Sequence, residues 1–187
     1  MTIRQAKKQD SKQAAVLIYD AIHDIAHALT GETERERVYE QLEKYFCQEH
    51  NRISYRNCFV KTIEDEVVGL VLAYHGEDAL ALDEPIVRHL KENHADQEIR
   101  IDPEADKEDY YIDTVSVNAA FCGRGFGTGL LQTIIQHAKG QGYPSVSLNV
   151  EENNANARRL YERLGFEKKK DILINGHVFS YLVKKLV

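Results

Sequence analysis

The sequence predicts one α/β domain with about seven strands and four or five helices, and three observations carry that prediction. A β-branched and aromatic run, Tyr111 to Val117, is followed by glycines at four alternate positions, 123 to 129, and then by an apolar pattern of helical period. Two stretches near the start repeat apolar residues at the same helical spacing. The chain finishes in two strand-like runs joined by Asn175-Gly176, the residue pair that accepts the positive φ angles of a tight hairpin turn.

Taken in order, Thr2 to Ala6 reads as a first strand. Asp10 with Gln13 resembles a capping box, and Ala15, Ile18, Ile22, Ile25, Ala26 and Leu29 share one face of a helix that ends near Gly31. A second helix starts at Thr33, with Glu36 three residues on, turns Val38, Leu42, Tyr45 and Phe46 inward, and fades around His50 and Asn51. Cys58 to Ile63 and Val67 to Tyr74 form a hairpin through Glu64-Asp65-Glu66. Pro85 to His94 forms a short helix. After the strand at 111–117 comes a helix with Leu130, Leu131, Ile134, Ile135 and Ala138 inward, and then a strand from Ser145 to Val150. Asn153 or Asn154 caps a helix that buries Ala157, Leu160, Tyr161 and Leu164 and stops at Gly165. Asp171 to Ile174 and His177 to Val183 close the chain as a hairpin.

Length and composition exclude several classes. A chain of 187 residues with 43% hydrophobic residues supports one domain with a substantial core. No run of eighteen apolar residues exists to span a membrane, and residues 1 to 10 lack a signal-peptide core, so a cytoplasmic location is expected. Cys47, Cys58 and Cys122 are odd in number and far apart, which suits free thiols better than disulfides or a zinc knuckle. A net charge of -6 argues against a nucleic-acid surface. Between Gly76 and Asp109 twelve Asp and Glu face four Lys and Arg, a balance of -8. This segment is either a cation-attracting wall or a solvated, partly disordered insertion.

The glycine stretch carries the chemistry. A strand feeding through glycines into a helix aims backbone N–H groups and the positive end of the helix dipole at one small volume, which suits a phosphate. No Gly-Lys-Ser/Thr follows, as a Walker loop needs, and the glycine register does not fit G-x-G-x-x-G. The kinase signature, a lysine in V-A-I-K and then H-R-D, is missing too.

Val117, then Cys122-Gly123-Arg124-Gly125-Phe126-Gly127, resembles the acetyl-CoA loop of the GNAT acyltransferase superfamily, Val-x-Pro-x-x-Arg/Gln-Gly-x-Gly-x-Gly/Ala. A second signature follows in Asn154-Ala155-Asn156-Ala157-Arg158-Arg159-Leu160-Tyr161-Glu162-Arg163-Leu164-Gly165-Phe166, similar to Asn-x-x-Ala-x-x-Leu-Tyr-Glu-x-x-Gly-Phe. Ala119 and Cys122 depart from the family pattern, which has proline and Arg or Gln there. The resemblance implies a central mixed, mostly antiparallel sheet. It also implies that acetyl-CoA is a co-substrate held by Val115, Val117, Cys122, Gly123, Arg124, Gly125, Phe126, Gly127, Thr128, Asn154 and Tyr161, with no metal. The implied reaction is acetyl transfer to a primary amine, a small molecule or a peptide, and a homodimer is compatible with it.

Acetyl transfer needs a neutral amine, a place for the oxyanion and a proton for the leaving thiolate. Tyr161 matches the tyrosine that supplies that proton in many family members. Asp113 is the candidate base, because strand alternation places Tyr111, Asp113, Val115 and Val117 on one face, leaving an acid in an apolar or aromatic row where its pKa rises. Glu108 and Asp109 are alternative bases. The acidic segment, with Asp102, Glu104 and Asp106, suggests a cationic acceptor: a polyamine, an amino sugar or a peptide amine. His23-Asp24-Ile25-Ala26-His27 resembles the H-E-x-x-H of zinc proteases, but it lacks an identifiable third ligand and reads better as a solvated helix flank, one that could border the acceptor site. Two other readings stay open, a catalytically silent acetyl-CoA-binding domain and an acyltransferase that uses another acyl-CoA or a protein terminus.

Overall fold

A computed structural model describes residues 2–93 and 99–186. Its strands are β1 Thr2–Gln5, β2 Cys58–Ile63, β3 Glu66–His75, β4 Tyr110–Val117, β5 Ser145–Glu151, β6 Glu167–Ile174 and β7 His177–Lys185. They form one sheet in the order β1-β2-β3-β4-β5-β7-β6, antiparallel throughout except for β4 beside β5. The helices among the described residues are α1 Ser11–Ile22, α2 Asp24–Thr30, α3 Arg35–Cys47, α4 Ala79–Asn93, α5 Phe126–Gly140 and α6 Ala155–Arg163. No helix is long and apolar enough to cross a membrane among the described residues.

The central strand β3 is buried along nearly its whole length, because helices cover both faces of the sheet. Leu70 and Leu72 meet Ile18 of α1, Leu42 of α3 and Ile86 of α4. Val71 and Ala73 point the other way, into a core with Leu130, Leu131 and Ile134 of α5 and with Phe166 and Leu182.

Long-range partners override the expected helix starts. Asp10 does not cap α1; its carboxylate holds the Arg4 guanidinium at 2.8 and 2.9 Å and accepts from the Lys7 N–H at 2.7 Å. The Gln13 amide oxygen instead accepts from the Val67 N–H. The second long helix begins at Arg35 and carries no side-chain cap, so Thr33 and Glu36 do not form the expected box. The single helix expected from Asp10 to Gly31 is two, α1 and α2, broken at His23 with φ 37° and ψ -107°. The break turns the chain so that Ala15 and Ile18 before it and Ala26 and Leu29 after it all reach one core.

The described parts of the acidic segment pack as a layer of the fold. Its helix begins at Ala79, not near Pro85, and buries Ile86 and Leu90, while Ile99 and Ile101 pack on the same core. The expected helix end at His94 lies outside the described residues. Other local signals hold. Asn154 caps α6 through its side-chain oxygen, which accepts from the Ala157 N–H at 3.1 Å. Gly165 at φ 86° ends that helix, with the Phe166 N–H reaching the Tyr161 carbonyl and the Gly165 N–H reaching Glu162. Asn175 and Gly176, at φ 47° and 78°, make the closing turn.

Candidate active site

The site begins where the sheet comes apart. Strands β4 and β5 pair only over Tyr110–Ile112 against Val146–Leu148 and then separate. The cause lies on the other side of β4, where Ala73 pairs with Ile112 and Leu72 with Thr114, leaving Asp113 as an unpaired extra residue. Such a bulge kinks its strand and increases its twist. Beyond it, Thr114 to Val117 remain paired with β3 while their other edge faces a cleft of about 610 Å³ with unpaired backbone groups. A strand edge of this kind binds an extended partner through main-chain hydrogen bonds.

The bulge also corrects the expected face. Tyr110 and Ile112 share the α5 side with Val115 and Val117, whereas Tyr111 does not, so the row of Tyr111, Asp113, Val115 and Val117 does not exist. One extra residue shifts every later side chain by one position.

The glycine loop adjoins the far end of the cleft at Val117, whose Cγ2 lies 3.8 Å from where a Gly127 Cβ would stand. Gly123 and Gly125 take φ 77° and 76°, and Gly125 is the N-cap of α5. The first intrahelical bond runs from the Gly129 N–H to the Gly125 carbonyl, so the N–H groups of Phe126, Gly127 and Thr128 have no acceptor within the helix. These donors and the dipole of a fifteen-residue helix are able to receive an anion. Cys122 is exposed and stands before the two positive-φ glycines, not at the helix terminus itself. The Arg124 guanidinium sits 5.2 Å from the Phe121 ring centroid.

Tyr161 and Asn154 line the opposite wall with Ala157. Tyr161 packs against the α5-side core and meets Phe166 edge to face, and burial pushes its phenol above the ordinary value. No described group bonds its hydroxyl.

The inner end of the cleft is charged. Arg52, 3% exposed, places its guanidinium among three carboxylates: Asp113 at 2.7 Å, Glu104 at 2.8 Å and Asp83 at 3.5 Å. Asp113 Oδ2 also accepts from the Tyr74 hydroxyl at 2.8 Å, and its Oδ1 accepts from Thr114 at 2.9 Å. The apolar setting that marked Asp113 as a base is therefore absent: the bulge aims it at an arginine, and both of its oxygens are occupied. Glu104 differs. Its contacts with Arg52 and with the Tyr111 hydroxyl both fall on Oε2, and among the described residues none donates to Oε1. The Asn149 side chain donates to Tyr111 and to the Glu104 carbonyl, both at 2.9 Å, and its Oδ1 is buried with no partner among the described residues.

The other acids fall elsewhere. Asp109, 1% exposed, accepts from the Tyr181 hydroxyl at 2.6 Å and from Ser145, outside the cleft. Glu108 lies 3.7 Å from Lys169, and Asp106 is held by Lys169 and Lys170. Asp102 accepts from the Asn175 N–H. The two histidines of the zinc-like motif do not share a helix: His23 is the break, and His27 is tied to the Glu32 carbonyl at 2.8 Å. No group of three potential ligands clusters among the described residues.

Sequence reading missed Arg52, Tyr74, Asn149 and the cleft-lining acids Asp20 and Glu151, while Asp24 lines the cleft on the helix flank that the histidine motif had marked. Arg52 stands 61 positions from Asp113 and 31 from Asp83, so no local pattern links them. Asn149 lies within an expected strand, where its polarity between Leu148 and Val150 was the one available signal.

Known proteins match this chain in sequence and in fold. The family model described as "Acetyltransferase (GNAT) family" matches residues 19–166. A solved structure described as an acetyltransferase aligns over 100% of both chains at 28% identity, with a TM-score of 0.83. An N-acetyltransferase from Staphylococcus aureus Mu50 aligns over 98% of this chain and 100% of its own, at 25% identity and a TM-score of 0.79. Spermine/spermidine N(1)-acetyltransferase of Bacillus subtilis is 32% identical over 89 residues, 45% of this chain and 57% of the relative. The matched region thus spans little more than half of that relative.

Proposed function

This chain belongs to the acetyltransferase (GNAT) family, and from that premise we propose that it moves the acetyl group of acetyl-CoA to a primary amine that is cationic in water. The observation that carries the reading is the wedge between β4 and β5, with an open backbone edge on one side, Tyr161 on the other and a helix N-terminus at its end. In this reading the pyrophosphate sits on the N–H groups of Phe126 to Thr128. The pantetheine arm lies along Thr114 to Val117 as an added strand, which carries the thioester toward the charged end.

The acceptor amine binds at that end. Asp20, Asp24, Glu104, Asp113 and Glu151 line the cleft, and such clustered carboxylates concentrate cations. Asp113 contributes fixed charge, since Arg52, Tyr74 and Thr114 occupy its oxygens. The Asn149 Oδ1 accepts an N–H of the amine. Glu104 Oε1 takes the ammonium proton, the freed nitrogen attacks the thioester carbonyl, and the carbon–sulfur bond breaks. The leaving thiolate takes the Tyr161 proton, which burial retains on the phenol until then, and the second proton, which the nitrogen sheds as the amide forms, returns to the Tyr161 oxygen.

The test is release of free coenzyme A thiol from acetyl-CoA in the presence of polyamines, aminoglycosides and peptide amines, with the acetylated product identified by mass. The expected result is thiol release that depends on a cationic amine. Tight acetyl-CoA binding without release for any amine in the panel would favour a catalytically silent domain.

A further inference from the structure

A second cavity abuts the cleft. It has a volume of about 480 Å³ and lies between α2, α4, the segment 99–104 and the β6–β7 turn. Ile25, Leu29, Glu104, Ile174 and Asn175 line both spaces. Deeper in, its described walls add Leu90, Ile99 and Ile101, which are apolar. Nothing in the acetyl-transfer reading uses this space.

We propose that the two cavities hold one elongated acceptor, a primary amine at the end of a flexible aliphatic chain, with the reacting nitrogen in the cleft and the methylene chain passing Glu104 into the second cavity. The inference rests on the acetyl-transfer reading and narrows its substrate class. Glu104 stands at the junction with its Oε2 held by Arg52 and Tyr111. An ammonium placed at its other oxygen has the thioester end of the cleft on one side and an apolar corridor on the other. A short amine would leave that corridor to water, whereas a chain would bury its own methylenes against Leu29, Leu90, Ile99, Ile101 and Ile174. Polar groups on the outer wall are mixed in sign, with Glu32 and Asp102 against Arg100, so the corridor selects for chain length before it selects for a second charge.

The experiment is kcat/KM for a series of linear primary alkylamines from methylamine to octylamine, and for the matching α,ω-diamines, at saturating acetyl-CoA. Each methylene that enters the corridor adds up to about fourfold, so kcat/KM should rise at least about tenfold along the series, chiefly through KM. Filling the corridor from its outer side by Ala28→Trp, or independently by Thr33→Trp, should collapse the long-to-short ratio toward one. Retained acetyl-CoA affinity shows that each variant is folded. A flat length profile with measurable turnover would overturn the long-chain inference and leave acetyl transfer standing, as would a profile that both tryptophan variants fail to alter. Acetyl-CoA binding with no amine acetylated at any length would overturn both.

Discussion

In the proposed reaction the proton on Tyr161 has to survive until the thiolate departs, and burial of the ring favours that. Burial disfavours the phenolate, so ionisation of Tyr161 should not depress the rate anywhere below the ordinary tyrosine range near 10. The cleft carboxylates likewise favour the protonated form of the proposed cationic acceptor, which opposes the reaction because that ammonium must first lose a proton. The rate should therefore rise with pH through the neutral range, with no falling limb from Tyr161. Tyr161→Phe should lower kcat by about a hundredfold or more while leaving acetyl-CoA affinity nearly unchanged; a variant with undiminished kcat would return Tyr161 to a packing role. The inward helical position of Tyr161, the Asn154 cap and the positive-φ glycines were legible in sequence because each answers to its near neighbours, whereas the role of Tyr161 came from the family resemblance alone. Asp113 was legible only as a polar residue in a strand. Its partner is set by a bulge and by an arginine from a distant loop, and neither leaves a periodic trace.

At the scale of elements, the charged knot around Arg52 joins β4, α4 and the segment before it through one buried guanidinium. Arg52→Met should leave three carboxylates crowded without a counter-charge and cost about 3–5 kcal/mol, read as a fall in urea midpoint. A loss below about 1 kcal/mol would show that the knot relaxes into water. Asp83 adds a pH signature. Burial, set against Arg52, raises its pKa from 3.8 to about 6. The folded state then holds a proton the unfolded chain releases, so this stabilising contribution is complete below about pH 3.8 and is lost as pH rises through about 6. Asp10, whose carboxyl lies below its ordinary value despite burial because Arg4 and the Lys7 N–H hold it, acts oppositely and loses its contribution as pH falls. Asp83→Asn should flatten the stability decline between pH 4 and 7 and leave the acid limb in place; an unchanged profile would refute the assignment. The strands and most helices were readable because their apolar periods reflect burial directly. The split at His23 was not, since apolar residues continue at helical spacing across it.

For the whole molecule, the acidic balance of residues 76–109 is not the free field that its count suggests. Asp106 and Glu108 face lysines, Asp109 is hydrogen-bonded inside the fold, and Glu104 and Asp83 share Arg52. Of the acids that line the cleft, Asp20, Asp24, Asp113 and Glu151 lie outside that segment and only Glu104 belongs to it. The kcat/KM for a cationic amine should fall with ionic strength, and Asp20→Asn with Asp24→Asn should weaken that dependence; salt-independent turnover would remove electrostatic attraction from the account. The central claim is that the separation of β4 from β5 and the glycine loop together form the acetyl-CoA site. The direct measurement is calorimetric titration of acetyl-CoA into the wild-type protein and into Gly125→Val, with circular dichroism to confirm that the variant is folded. A β-branched residue at φ 76° forces the loop out of the conformation that aims the Phe126, Gly127 and Thr128 N–H groups. The account predicts saturable binding by the wild type and a loss of at least about tenfold in affinity for the folded variant. Equal affinities in two folded proteins would contradict it.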